Sequence, residues 1–369
     1  MKNKLKLAIH LRDHCPEGRA QAYYYNADLD LEVYAEGVLK KTTEAPVTLG
    51  LGAFEGGLDI IDPHFWAIRS KDEHEYFGTQ SGEQSLETGK AHSFQIDLNY
   101  EHKEKERYLT SVTQAISEIA AGKYQKIVLA RRKKLQALDQ KRNLTQPADW
   151  ITHLFQEDHH GHQFLFQTHE KLFISLSPES LFTFQGGQLR IDAIAGTSAR
   201  GATPKEDDEL YGKLAKSEKE KHEHQIVCDE IEASVKRLDL QGNWIFLQQP
   251  LKLKFVQHIY SLYQIDYAPE MSLETMLDLI THFHPTPAVG GHPRELCLET
   301  LKRLEAFKRG PYAAPFLIKT PTTALAGVGI RSAEITENEM IVWAGGGVVK
   351  GSVPEKEWQE TERKCRNFL

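Results

Sequence analysis

The chain is poor in cysteine, with four in 369 residues: Cys15, Cys228, Cys297 and Cys365. They lie far apart with no Cys-x-x-Cys, which argues against a disulfide frame or a cysteine zinc site and for reduced thiols in the cytoplasm. No uninterrupted apolar run approaches the ~18 residues needed to cross a bilayer. The opening MKNKLKLAIHLRDHC has too short an apolar stretch and too many charges for a signal peptide. Basic charge is also short. The net charge is −7, and the longest basic run, Arg131-Arg132-Lys133-Lys134, sits beside an apolar run and reads as a solvated strand end. That balance argues against a nucleic-acid surface. No Gly-x-x-x-x-Gly-Lys-Ser/Thr loop and no strand–Gly-x-Gly-x-x-Gly–helix unit is present, so nucleotide binding has little support. Repeats, low-complexity segments and Pro/Ser-rich linkers are absent too.

What remains is an ordinary globular composition, 40% hydrophobic and 26% charged. The length suits one large domain or two ordinary ones, and the missing linker favours a single α/β (α+β) domain over 1–369. Residues 1–104 read as β-rich with little motif signal; examples are Ala22-Tyr23-Tyr24-Tyr25, Leu31-Glu32-Val33-Tyr34 and Phe94–Leu98. From about 103 to 121, Tyr108, Val112, Ile116 and Ile119 recur at helical spacing, and Gly122 ends that helix. Lys126–Arg131, Phe164–Phe166 and Leu172–Leu176 read as strands, and Leu181–Ile194 as a hairpin around Gly186-Gly187. A long charged helix is expected from about 206 to 238, and another from Pro354 to Leu369, with Pro354 suited to a first turn. His159, His160 and His162 read as a polar loop, since no carboxylate or cysteine frame surrounds them.

Chemistry concentrates in the last two-thirds. Glu220 and Glu223 lie three apart on one helix, hence on one face. Glu357, Glu360 and Lys364, spaced 3 and 4, form a stripe on the last helix. Taken alone, either Glu-x-x-Glu is a solvated face; taken together, two pairs make a cage for a hard cation such as magnesium. His222 and His224 are less apt as metal ligands, with no third soft ligand at the right spacing. Lys126 opens an apolar strand, where desolvation favours a neutral amine able to act as a base. Glu179 follows an apolar strand and Ser177-Pro178, where a raised pKa suits an acid. Taken singly, each is more simply a strand-end charge.

Three small-residue stretches, Ala195–Gly201, His284–Gly291 and Ala344–Val348, read as backbone cradles for an anion or as plain tight turns. Arg331 and His258 are polar residues inside apolar strands. A core histidine is usually just hydrogen-bonded, whereas a buried arginine more often has an anionic partner.

In order along the chain, KIVLAR, SPESLF, AIAGTSARG, SEKEKHEH, VQHIYS, HPTPAVGG, KRGPYAAP, GVGIRSA, AGGGVV and EWQETERK resemble the chorismate-utilizing enzymes. The match spans about 105–369. The resemblance implies a single large domain with two packed antiparallel sheets around the site and helices outside. It implies Mg2+ between Glu223, Glu360 and the ring carboxylate of chorismate, with Glu220 and Glu357 in support. Lys364, Gly196 and Thr197 would lie near that carboxylate. Tyr312, Arg331 and the backbone at Gly345 would hold the enolpyruvyl carboxylate, and His258 would lie beside the ring.

Within the family, Lys126 stands where ammonia-using members tend to have glutamine, so water is the implied nucleophile and no glutaminase subunit is expected. Ala195 stands where aminodeoxychorismate synthases carry a nucleophilic lysine. Ala288 completes His-Pro-Thr-Pro-Ala, usual in isochorismate synthases, where salicylate synthases usually have threonine. The pattern is therefore most similar to isochorismate synthases, with salicylate synthase or a catalytically silent relative as alternatives. The implied chemistry has Lys126 take a proton from water at C2 while Glu179 protonates the departing C4 hydroxyl. Two positions depart from the family pattern: Ala314 replaces a common glycine and is expected to narrow the pyruvyl side of the pocket, and Gly346 replaces a common alanine, a change expected to be harmless. A monomer is expected, with no apolar stripe left unassigned.

Overall fold

The computed structural model describes residues 15–41, 43, 45, 47–69, 74–77, 94–138, 146–155, 161–267 and 269–369. Among the described residues eighteen strands form one hydrogen-bonded ribbon in which every pairing is antiparallel. The first group is β1 (Arg19–Asn26), β2 (Leu31–Lys40), β3 (Thr48–Gly52), β4 (Leu58–Arg69), β5 (His74–Phe77) and β6 (Phe94–Ile96). Helix α1 (Leu98–Ala120) leads into β7 (Lys126–Ala137), α2 (Pro147–Leu154), β8 (His162–Thr168), β9 (Leu172–Ser177), β10 (Ser180–Gln185) and β11 (Gln188–Ala199). Then come α3 (Pro204–Leu214), α4 (Glu218–Arg237), β12 (Gly242–Lys252), β13 (Val256–Asp266), α5 (Leu273–Phe283), β14 (Gly291–His292) and α6 (Arg294–Leu304). The chain closes with β15 (Pro315–Lys319), β16 (Thr323–Val328), β17 (Ser332–Ile335), β18 (Glu339–Val349) and α7 (Pro354–Cys365).

The ribbon has two arms. One runs β7–β18–β17–β9–β8–β1–β2, with β6 and β14 on the outer edge of β7. The other runs β3–β15–β16–β10–β11–β13–β12. Strand β4 pairs with both β2 and β3 and so joins them. The two packed antiparallel sheets are thus arms of one ribbon folded on itself. Their contact is aromatic in places: Phe164 of β8 stacks on Phe316 of β15 with centroids 4.6 Å apart. Strands from the first hundred residues lie in the middle of the ribbon, where β1 pairs with β8 and β3 with β15.

Strand alternation decides what β7 offers to each side. Ile127 and Leu129 enter a cluster with Tyr108, Val112 and Trp358, under α1 and α7. Lys126 and Val128 face a cleft between the arms, and Ala130 packs in the core cluster beside it.

Three expectations need correction. The helix expected over 206–238 is two helices, α3 and α4, because Ser217 leaves helical geometry and its hydroxyl accepts from the Glu220 N–H as an N-cap. The basic run is not a solvated strand end. Arg131 is fully buried, lies 3.9 Å over the Trp358 ring, and pairs with Glu101 and Glu362; Lys133 is buried beside it. His162 is a buried strand residue whose ring nitrogens meet the Tyr24 and Ser180 hydroxyls, rather than part of a polar loop. His159 and His160 lie outside the described residues.

Candidate active site

The cleft is lined from both arms: Lys126 and Val128 of β7, Gly345 and Gly347 of β18, Gly196 and Thr197 of β11, and His258 of β13. Glu179, Ala288, Tyr312, Arg331, Glu223 of α4 and Lys364 of α7 complete the wall. Every candidate catalytic and substrate-binding residue, Lys126, Glu179, Gly196, Thr197, His258, Ala288, Tyr312, Arg331, Gly345 and Lys364, therefore lines one cavity. Of the four candidate metal carboxylates, Glu223 lines it directly, while Glu220, Glu357 and Glu360 sit behind it on α4 and α7.

The backbone builds this convergence. Gly196 has φ +76° and makes a bulge between Ala195 and Thr197 in the pairing with β13. A positive φ is open to glycine at no steric cost, and the bulge turns the Thr197 N–H onto Glu220 Oε2 at 3.0 Å. The glycines at 345–347 lie within β18 itself, paired residue by residue with β7, rather than in a loop after it. Their missing side chains leave room for neighbouring groups. A β-carbon at 345 would come 2.6 Å from the Tyr312 hydroxyl, one at 346 would come 2.7 Å from the Tyr108 hydroxyl, and one at 347 would collide with Glu223 Oε1.

Lysines and carboxylates interleave. Lys126, fully buried, lies 3.0 Å from Glu223 Oε1. Lys364 lies 2.6 Å from Glu360 and donates to the Gly345 carbonyl at 2.8 Å. Lys219, unremarked in the sequence, bridges the two helices, 2.9 Å from Glu357 and 3.1 Å from Glu220. Burial raises the Glu220 pKa, and Glu223 adds to it. Burial, then Glu360, pushes the Glu357 carboxyl up to about 7. Burial also acts on Glu360, but Lys364 holds that carboxyl below its ordinary value. The carboxylates thus sense one another's charge despite the lysines. Among the described residues no three His, Cys, Asp or Glu side chains converge as a ready-made metal site. Magnesium typically takes only one or two protein carboxylates and leaves other positions to water and substrate. The hard oxygen donors, the room beside Glu223 left by Gly347 and the mutual repulsion fit such an ion. His224 is buried, and its Nε2 meets the Ser261 hydroxyl.

Glu179 is 3% exposed, and burial pushes its carboxyl up to about 8, with the Asp192 carboxylate adding to the rise. It therefore holds its proton at neutral pH. The Ser177 hydroxyl caps its backbone N–H at 3.2 Å, and the Thr286 hydroxyl donates to Glu179 Oε1 at 3.3 Å. Burial and then the Arg331 and Lys364 charges hold His258 far below its usual pKa, so its ring is neutral. Arg331 donates to Nε2 at 2.8 Å, which leaves the ring proton on Nδ1, 3.1 Å from the Gly196 carbonyl. Arg331 itself, at φ +48°, is buried, and burial lowers its pKa to about 10. Among the described residues it forms no ion pair with a carboxylate, so its charge is offered to the cleft.

A buried pair that the sequence did not reveal fixes one wall. Arg309 donates to Glu305, to the Val289 carbonyl at 2.7 Å and to the Val128 carbonyl at 2.6 Å, while Glu305 accepts the Ala130 N–H at 2.7 Å. It clamps the Ala288–Val289 turn to β7. Ala314 does not narrow the cavity: it is fully buried outside the lining, with its carbonyl accepting from Gly329.

A family model described as a chorismate binding enzyme matches residues 65–369. The isochorismate synthase DhbC of Bacillus subtilis is 31% identical over 276 residues, covering 72% of this chain and 67% of that protein. The salicylate biosynthesis isochorismate synthase of Pseudomonas aeruginosa is 32% identical over 264 residues, 70% of this chain and 53% of its own length. The chain thus spans about half to two thirds of these relatives. The solved structure of MenF, the menaquinone-specific isochorismate synthase from Escherichia coli, superposes with a TM-score of 0.80 at 23% identity, over 98% of this chain and 90% of that one. That likeness carries the fold.

Proposed function

The chain belongs to the chorismate-binding enzyme family, and from that premise we propose that it is an isochorismate synthase, a magnesium-dependent isomerase of chorismate. One observation carries the reading: buried Lys126 and proton-bearing Glu179 line the same cleft as Arg331. A base, an acid and an uncompensated cation in one cavity match a substrate that gains a hydroxyl on one ring carbon, loses one from another and carries carboxylates. The named activities of the relatives support it.

Lys126 takes a proton from water as its oxygen bonds to C2. The ring double bonds shift, the C4–O bond breaks, and Glu179 supplies the proton that lets the hydroxyl leave as water. Lysine ends as ammonium and Glu179 as carboxylate, and a returning proton resets the pair. Arg331, oriented by His258, binds the enolpyruvyl carboxylate together with Tyr312 and Gly345. Thr197, Gly196 and Lys364 flank the ring carboxylate, and Ala288 leaves the opposite wall small. Glu223 and Glu360 would hold magnesium, with Glu220 and Glu357 in support; the ion would neutralise and fix the ring carboxylate. The free, buried Cys228, Cys297 and Cys365 support a place in the reducing cytoplasm, and among the described residues no helix is long and apolar enough to cross a membrane.

The test is to mix purified protein with chorismate and magnesium and follow products by proton NMR. Isochorismate in equilibrium with chorismate is expected. Salicylate plus pyruvate as main products would replace this reading with a salicylate synthase, and no conversion would point to a silent relative.

A further inference from the structure

Tyr108 is fully buried on α1, and its hydroxyl has no hydrogen-bond partner among the described residues. A buried hydroxyl without a partner disfavours folding unless something uses it. Its ring is fixed edge-on against Trp358 of α7, with centroids 5.8 Å apart at 60°. The hydroxyl therefore cannot swing away without disturbing that packing. What it faces is defined by Gly346. The point where a β-carbon of residue 346 would sit is 2.7 Å from Tyr108 Oη, 3.7 Å from Glu357 Oε2 and 3.7 Å from Thr361 Cγ2. Phenol and carboxylate thus border one small space, which exists because residue 346 has no side chain. Glu357 and Glu360 are the acidic groups whose charge reaches the phenol most strongly.

We propose that Tyr108 is a positioning residue for the magnesium site, its hydroxyl donating across the gap left by Gly346 to the Glu357 side of the carboxylate group, directly or through one water. The inference rests on magnesium binding at these carboxylates. Lys219 holds Glu357 at 2.9 Å. When a cation draws the carboxylates toward itself, the donor that can hold Glu357 in its new place is the one already facing it without a partner. Outer partners of this kind fix the orientation of metal ligands and are worth about 10–100-fold in affinity.

The test uses Tyr108→Phe, which keeps the ring and its contact with Trp358. Magnesium alone is titrated into substrate-free protein by calorimetry, and Tm is read with and without the ion. Without magnesium, Tm is expected to stay or rise, since an unpartnered buried hydroxyl is gone. The magnesium Kd is expected to weaken about 10-fold or more. Gly346→Ala fills the same gap and is expected to weaken magnesium too, while the double variant binds no worse than Tyr108→Phe alone, because the two changes remove one interaction. Parent-like magnesium affinity in Tyr108→Phe overturns the role of the tyrosine and leaves the metal reading standing. A parent protein that binds no magnesium overturns both. Additive losses in the double variant overturn the shared gap.

Discussion

Lys126 Nζ lies 3.0 Å from Glu223 Oε1, so the proposed base and a proposed metal ligand are each other's counter-charge. The lysine is fully buried and the carboxylate 12% exposed, so water screens the pair little. With magnesium bound, one carboxylate would serve two cations, and what one gained the other would lose. Lys126→Ala is therefore expected to separate binding from chemistry. Turnover falls at least ~100-fold, the magnitude of a lost general base, while magnesium binds as tightly or more tightly because its competitor for Glu223 is gone. Steady-state rates with a magnesium titration check this. Near-normal turnover would remove Lys126 from the base role.

Glu179 supplies the pH dependence. Its carboxyl is pushed up to about 8 by burial first and Asp192 second, with Lys126, Thr286 and Arg331 opposing. An acid must hold its proton to give it, so kcat/KM in the isochorismate direction is expected to fall as pH rises through about 8. Asp192 accepts the Ser180 N–H at 3.0 Å and the Tyr260 hydroxyl at 2.9 Å. Asp192→Asn removes the negative charge that helps retain the proton on Glu179. The alkaline limb should then move to lower pH, with the plateau rate little changed. A pH–rate profile decides, and an unmoved limb would take Asp192 out of the account.

How much of this the residues disclosed depends on the range of the contact. Glu220 with Glu223, and Glu357 with Glu360 and Lys364, are helix-periodic pairs, and the structure keeps each on its helix as spacing requires. The cleft also gathers Lys126, Glu179 and Arg331, which stood out as polar groups in apolar strands. Lys219 did not stand out, because its partner Glu357 lies 138 residues away in sequence. Asp192 looked like one polar position in an alternating hairpin strand, and its effect on Glu179 arises only when β10 and β11 pair. Tyr108 fell on the apolar stripe of a helix and so read as core, which its ring is; the partner its hydroxyl lacks is a question of β18 geometry. The Arg131 run misled because charge on a strand end is usually solvated, and here α7 brings Glu362 and Trp358 over it. The strand order of the ribbon, with β4 shared by both arms, had no signal in periodicity at all.

Gly347 makes a test that sets function against stability. It lies mid-strand in β18 opposite Val128, so an alanine suits its backbone. The added β-carbon would collide with Glu223 Oε1, stand 2.9 Å from Glu223 Cδ and reach 3.3 Å from Lys126 Cε. A carboxylate at the end of a side chain can swing aside, so the fold yields cheaply and the site does not. Gly347→Ala is expected to keep Tm within a few degrees and to lose about 10-fold or more in magnesium affinity and turnover. Gly327→Ala is the contrast. There the β-carbon would meet the buried Phe316 ring, 2.6 Å from Cε2, in a core that has no room to give. That variant should lose stability, by roughly 1–3 kcal/mol for overpacking, while the fraction that stays folded binds magnesium normally. Equal loss of Tm in both variants would mean that Gly347 is needed for packing rather than for the room it leaves Glu223.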